Sequence, residues 1–321
     1  MKRSTALLGL SALALPSRAR AQTLTKVTLV STAGTAAGPA VYAEKVGLFR
    51  KYGLDITHTQ MNNGAAIAAA VAGGSADIGS GSSFSVVTAY AHGIPMQIFA
   101  AGPEFYASEP VPYGMILVAK SSPFQTASDL NGKTFGLATA RGDLNATATE
   151  AWVEQHGGDW SSIKVLEIPQ TAMVAALQAG RIDAMTMQSP NAGIALASGQ
   201  VRLFGKPYDA VALKFNIAPW WGMASYAAKN PDVVSAFARA MAEASRYANA
   251  HPQEMLPLLA AYTGVEPAVL QAAARAPFGD HLDPADFQPV IDLEVKYKLI
   301  GKGFDAKEIL APAAMGRLRS G

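Results

Sequence analysis

Five histidines and no cysteine bound what catalysis this chain could carry. His58, His92, His156, His251 and His281 include no pair at the i, i+4 spacing of a helical zinc site. Ser80-Gly81-Ser82-Ser83 lacks the second glycine of a nucleophile elbow. No Walker loop is present, nor a Gly-x-Gly-x-x-Gly followed by an acid at dinucleotide spacing. What the residues offer instead is hydrogen-bond donors. Four segments, 31–38, 79–83, 138–143 and 188–191, are rich in Ser, Thr, Gly or amide side chains, and each stands just before a run of helical pattern. The first turn of a helix has unpaired N–H groups and a partial positive charge, and small residues let a ligand reach them. The chemistry this suits is non-covalent capture of a small anion or polar molecule. The candidate contacts are Thr32, Thr35, Gly81, Ser82, Ser83, Thr139, Gln188, Ser189 and Asn191. Each hydroxyl or amide could instead serve only as a helix N-cap. Arg141 could take a carboxylate or sulfonate bidentately, or pair with Asp143 or Glu150. Trp220 could cover a ligand with its ring or belong to the core.

Positioning these loops requires alternating strands and helices. Residues 27–30 form a β-branched run, Pro39 suits the first turn of a helix that ends near Gly53, and 54–59 is the next strand. An alanine-rich helix at 65–73, a short strand at 77–79, a helix from 80 to about 92 and a strand at 96–101 complete a first unit. The pattern restarts with strands at 134–138, 163–168, 182–185 and 201–204 and helices between them. Residues 113–119 read as a strand leaving the first unit, and 214–226 as a strand-like return. Strand–helix alternation is the mark of a parallel sheet with right-handed crossovers. From Pro231 onward the pattern is helical, and this tail is expected to pack back on the first unit.

One segment occurs twice. Ala69-Ala70-Val71-Ala72-Gly73-Gly74-Ser75-Ala76-Asp77 is echoed by Ala175-Ala176-Leu177-Gln178-Ala179-Gly180-Arg181-Ile182-Asp183. A repeated unit implies two similar lobes with a cleft between them. The expected division is 22–115 with 210–321 for the first lobe and 116–209 for the second.

Residues 1–21 read as a signal peptide. Lys2 and Arg3 precede an apolar run, 6–15, roughly half as long as a bilayer span needs, and Ala19 and Ala21 suit peptidase cleavage before Gln22. Cleavage removes Lys2, Arg3, Arg18 and Arg20 and no acid, so a formal net charge of +2 turns slightly negative. That leaves no basic footprint for nucleic acid or an anionic membrane. Only 16% of residues are charged, against about 25% in an average domain. Absence of cysteine rules out a lipid anchor at the cleavage site. The mature protein is expected to be a soluble periplasmic monomer without cofactor or metal.

Four motifs stand in order within roughly residues 25–250: Gly47-Leu48-Phe49-Arg50-Lys51-Tyr52-Gly53-Leu54-Asp55, Gly74-Ser75-Ala76-Asp77-Ile78-Gly79, Asp129-Leu130-Asn131-Gly132-Lys133 and Ala179-Gly180-Arg181-Ile182-Asp183-Ala184. The first resembles the GLF-x-x-x-GLD opening, and the others three further motifs, of solute-binding proteins from nitrate/sulfonate/taurine-type ABC importers, a group that includes the NMT1/THI5-like binders of thiamine-pyrimidine precursors. The resemblance implies a type II periplasmic-binding-protein-like fold, with two doubly wound α/β lobes joined by two crossing segments. It also implies ligand in the cleft and delivery to a membrane permease, with hinge closure on binding. Where many members carry an acid in a WEP-like segment, Gln188-Ser189-Pro190 stands here, which favours an anionic or neutral polar ligand. Alternatives are an enzyme on this fold, such as a pyrimidine-precursor synthase, or a module that senses ligand for a signalling partner.

Overall fold

The computed structural model describes residues 24–61, 64–139 and 141–315. The expected signal segment therefore lies outside the described residues. The first unit runs β1 (Thr25–Ser31), α1 (Gly38–Lys45), α2 (Leu48–Lys51), β2 (Leu54–Gln60), α3 (Gly64–Ala72), β3 (Ile78–Ser80), α4 (Ser83–Ala91) and β4 (Met96–Ala100). After β5 (Glu104–Tyr106) the second unit runs β6 (Gly114–Ala119), β7 (Thr134–Leu137), α5 (Leu144–Gln155), β8 (Lys164–Glu167), α6 (Gln170–Gln178), β9 (Ala184–Gln188), α7 (Asn191–Ala197) and β10 (Val201–Gly205). The chain returns through β11 (Lys214–Asn216) and β12 (Trp220–Met223). It ends in helices α8 (Ala224–Lys229), α9 (Pro231–Ala250), α10 (Pro252–Thr263), α11 (Pro267–Ala272), α12 (Gln288–Lys296) and α13 (Pro312–Met315).

The two main sheets repeat each other. Their orders are β2-β1-β3-β12-β4 and β8-β7-β9-β6-β10. In both, the first three strands are parallel and the fourth position is antiparallel. That fourth strand is out of sequence order in both: β12 is borrowed by the first sheet after the second unit is finished, and β6 opens the second unit before its parallel strands begin. The doubled sequence segment explains the likeness. Asp77 accepts from Thr28 N through Oδ2 at 2.8 Å and returns its own N–H to Thr28 O at 3.0 Å. Asp183 does the same with Thr134, at 2.9 and 2.7 Å, and both clips span 49 residues. Each aspartate thus fastens the strand that follows it to the central parallel strand beside it, β3 to β1 and β9 to β7.

Local chemistry departs from the expected pattern at two breaks. The helix expected from Pro39 to near Gly53 is interrupted at Gly47, whose φ of 75° is left-handed, so α2 starts afresh. The return strand is split into β11 and β12 at Ala218-Pro219, where proline has no N–H for a ladder.

The tail packs as its apolar faces require. Helix α9 lies against α1 and β4, and α12 against α4. Tyr42 stacks on Tyr247 at 4.2 Å and Phe49 on Phe237 at 5.8 Å. The tail also reaches the second unit, because α11 touches α7. Between the sheets, β5 and β11 form an antiparallel ribbon. The tail joins this ribbon: Glu104 N donates to Pro277 O at 2.7 Å, and Gly279 N to Gly102 O at 2.9 Å. Lys214 of β11 pins the ribbon to Asp286 at 2.8 Å and pairs across it with Glu104 of β5 at 3.6 Å. The segment after α11 therefore packs on the two stretches that cross between the sheets.

Candidate functional site

The four donor-rich loops follow the carboxyl ends of β1, β3, β7 and β9, equivalent positions in the two sheets. In open α/β sheets this is the edge where ligands bind. How far each candidate side chain is already engaged differs from loop to loop.

After β1, Thr35 opens a short 3-10 turn before α1, and its side chain is hydrogen-bonded to Tyr113. Burial raises the Tyr113 phenol above its ordinary value, so it stays protonated. Thr32 is exposed, and its carbonyl accepts from Ser31 Oγ at 3.2 Å. Ser31 Oγ also lies 3.0 Å from His58 Nε2 and 2.8 Å from Tyr262 OH. Burial lowers His58 to about 4, so the ring is neutral near pH 7. This knot of three side chains pins α10 against the end of β1.

After β3, Ser82 realises the capping role: its Oγ accepts from Phe84 N at 3.3 Å. Ser83 is fully buried and donates to Asn216 O at 2.7 Å, which ties α4 to the crossing ribbon. Its hydroxyl is committed to the fold instead of to a cleft. Gly81 leaves room for Trp221, whose ring would lie 3.5 Å from a Cβ at that position. Trp220 is 0% exposed, packed edge-on to His58 and Phe237. The ring expected as a candidate cover for ligand is instead core, because β12 is an inner strand of the first sheet, paired to β3 on one side and β4 on the other.

After β7, Asp143 caps α5 by accepting from Ala146 N at 2.8 Å, and Thr139, itself exposed, hydrogen-bonds to that carboxylate. Burial raises Asp143 above the usual carboxylate range despite these bonds. Arg141 is exposed, and of its two expected partners it acts electrostatically on Glu150. After β9, Gln188 Oε1 accepts from Asn145 Nδ2 and Tyr208 OH, each at 3.2 Å. Ser189 is buried and donates to Ala274 O at 2.6 Å, while its N–H donates to Tyr113 O at 2.9 Å. Asn191 begins α7 and reaches Gln170 Oε1 at 3.5 Å.

The structure brings Thr35 and Ser189, one from each unit, onto the wall of a single cavity of about 350 Å³, with Tyr113 between them. The other candidates do not line it. Most of the wall comes from residues that spacing did not flag, on α10, α11 and the segment after α11. The signal was there: Met255, Leu256 and Leu259 repeat at helical spacing, but that pattern is equally the mark of a core face. Among the described residues, no group of three or more His, Cys, Asp or Glu could hold a metal ion. No described helix is long and apolar enough to cross a membrane.

A family model described as NMT1/THI5 like matches residues 35–255, well over half of the chain. The chain belongs to this family. Among curated proteins, one named for binding aliphatic sulfonates in Escherichia coli (strain K12) is 26% identical over 217 residues, 68% of this chain and 63% of the relative. The matched stretch is thus under two thirds of that relative's length. The taurine-binding periplasmic protein of the same organism is 26% identical over 233 residues, 69% of this chain and 67% of the relative. Among solved structures, the periplasmic aliphatic sulphonate binding protein SsuA from Escherichia coli superposes with a TM-score of 0.71 at 22% identity, covering 89% of this chain and 91% of that one. The fold is therefore the mixed α/β fold of periplasmic binding proteins. The desulfurization enzyme DSZB shares it, with a TM-score of 0.67 at 15% identity over 89% and 96% of the two chains. The two curated relatives are named as binding proteins, and the fold also occurs in an enzyme.

Proposed function

We propose that the chain is the solute-binding protein of an ABC importer, exported to the periplasm by residues 1–21 and delivering a small polar or anionic organic solute to a membrane permease. The observation that carries this reading is the cavity whose wall takes Thr35 from one sheet unit and Ser189 from the other. A ligand seated there touches both units, so it can bias their relative placement. The lobes would be 22–115 with 210–321 and 116–209, turning about the crossing ribbon, and the working form would be a monomer. Arg141 and the helix starts at Thr35, Ser82, Asp143 and Asn191 supply positive potential for an anion. The test is a thermal-shift panel of sulfonates, carboxylates, nitrate and pyrimidines on the mature protein. A hit that raises the melting temperature is expected; a blank panel would sink the reading.

A second reading, an enzyme on this fold, finds its one support in Ser31 Oγ at 3.0 Å from His58 Nε2, with Glu44 3.7 Å from the other ring nitrogen. Against it, Ser31 is 3% exposed and Tyr262 already sits on its hydroxyl. No turnover of any panel compound is expected, and steady product formation would revive this reading.

A further inference from the structure

We propose that residues 267–278, which run from α11 to the crossing ribbon, form a clasp on the cavity, and that the cavity opens when the clasp lets go of the second unit. The clasp is bounded by backbone chemistry. Gly264, with a φ of 72°, ends α10 in the left-handed region, and Pro267 starts α11. Past α11 the chain is extended at Ala273, and Phe278 bridges Pro103. Leu270 and every residue of 273–278 line the cavity.

The clasp is attached to both units, and unequally. Its later part is held to the ribbon and to α9. Glu104 N donates to Pro277 O at 2.7 Å, Gly279 N to Gly102 O at 2.9 Å, and the Asn249 amide bonds both backbone groups of Phe278 at 2.8 and 2.9 Å. Gly279 fits so closely that a Cβ there would lie 2.5 Å from Glu104 Oε1. The earlier part is held to the second unit by small side chains. Ser189 Oγ donates to Ala274 O at 2.6 Å. Ala274 joins the buried core cluster of the second unit, which includes Ala192 and Ala195 of α7. A Cβ on Gly193 of α7 would lie 3.8 Å from the Ala273 Cβ. Alanine buries little apolar area, and one neutral hydrogen bond adds a modest net stability. The contact with the second unit is therefore the one that yields first.

Connectivity makes that release an opening. The cavity wall takes Thr35 from the first unit, Ser189 from the second, and the clasp that is bonded to Ser189. Moving the second unit away from the tail parts Ser189 from Ala274 and α7 from α11, so the wall separates along that seam. While the seam holds, the second unit cannot turn freely about the ribbon, because the later part of the clasp is fixed to the ribbon itself. Segments with few buried contacts open locally at far lower cost than the whole fold, as the lids of binding sites do.

The chain has no cysteine, so a single introduced thiol reports opening. Met255→Cys puts that thiol on the cavity wall, at a residue 3% exposed in the fold. Its reaction with Ellman's reagent is timed in the mature protein, with and without Ser189→Ala. Loosening the clasp is expected to speed labelling about two- to tenfold, the worth of one neutral hydrogen bond. The rate is expected to stay flat in urea below the unfolding transition, the mark of local opening. Equal rates in the two backgrounds, or a rate that climbs with urea as steeply as global unfolding does, overturns the proposal. Gly193→Cys with Ala273→Cys tests it separately should either substitution not fold, because the Cβ separation suits a disulfide. Trypsin cleavage after Arg275 is expected to slow at least about fivefold on oxidation and to recover on reduction. Cleavage that ignores the disulfide overturns the proposal. Neither readout uses a ligand, so a blank thermal-shift panel would sink the solute-binding reading and leave this one standing.

Discussion

Two buried ionisable side chains give the stability of this protein opposite dependences on pH. His58 is held neutral by burial, down to about 4 from an ordinary 6.5. As pH falls between those values the unfolded chain binds a proton that the fold refuses, so stability falls with it, by up to roughly 3 kcal/mol. Glu294 sits between α12 and α4, with Thr88 donating to one oxygen at 2.8 Å and the other oxygen without a partner among the described residues. Burial pushes it up to about 8 from 4.5, so between those values the fold keeps a proton that the unfolded chain has released. Stability is then lost as pH rises. Glu294→Gln should therefore gain on the parent protein steadily from pH 5 to pH 8, measured as melting temperature; parallel curves would mean Glu294 is ionised in the fold. Arg141 does not line the cavity, so Arg141→Ala is expected to weaken an anionic ligand through lost positive potential alone, about two- to fivefold and less at high salt, with no change in the melting temperature of the ligand-free protein. Unchanged affinity removes Arg141 from any role in binding. Residue spacing was enough to place the donor loops at strand ends. It could not say which hydroxyls stay available, because Ser83 and Ser189 spend theirs on Asn216 and Ala274, partners far away in the chain.

At the scale of elements, the twin aspartate clips are testable as a pair. Asp77→Ala and Asp183→Ala should each cost about 1–3 kcal/mol in denaturant unfolding, as expected for a backbone donor stripped of a charged acceptor. The double variant should be additive, since the clips lie in different sheets. A negligible loss at either site would make that aspartate a bystander. Gly102 is the tightest point of the crossing: a Cβ there would lie 1.8 Å from Ala218 O. Gly102→Ala is expected to cost at least about 1–3 kcal/mol by forcing the two crossing stretches apart, and an unaltered melting temperature would show that the ribbon gives freely. The parallel strands, their crossovers and the doubling were legible from period and repetition. The sheet partners of β6 and the borrowing of β12 were not, nor was the seating of residues 277–279 on the ribbon, because local pattern does not encode which distant strand a segment will join.

For the whole molecule, ligand at a hundred times its dissociation constant should add about 2.7 kcal/mol of stability, a rise of several degrees for a chain of this size. The borrowed strand β12 carries a further consequence, one for the order of events during synthesis. Residues 114–205 contain every strand of the second sheet, so that sheet can close as soon as its own stretch of chain is out. The first cannot. β3 and β4 are both paired to β12, which emerges only after some hundred further residues, so until then their open edges face whatever else is unfolded nearby. The interior segment is thus expected to fold first and act as the platform on which the earlier-made half is completed. A peptide spanning 112–206 should give cooperative unfolding by itself, whereas one spanning 24–110 should stay aggregation-prone. The opposite pair of results would put the nucleus at the amino end.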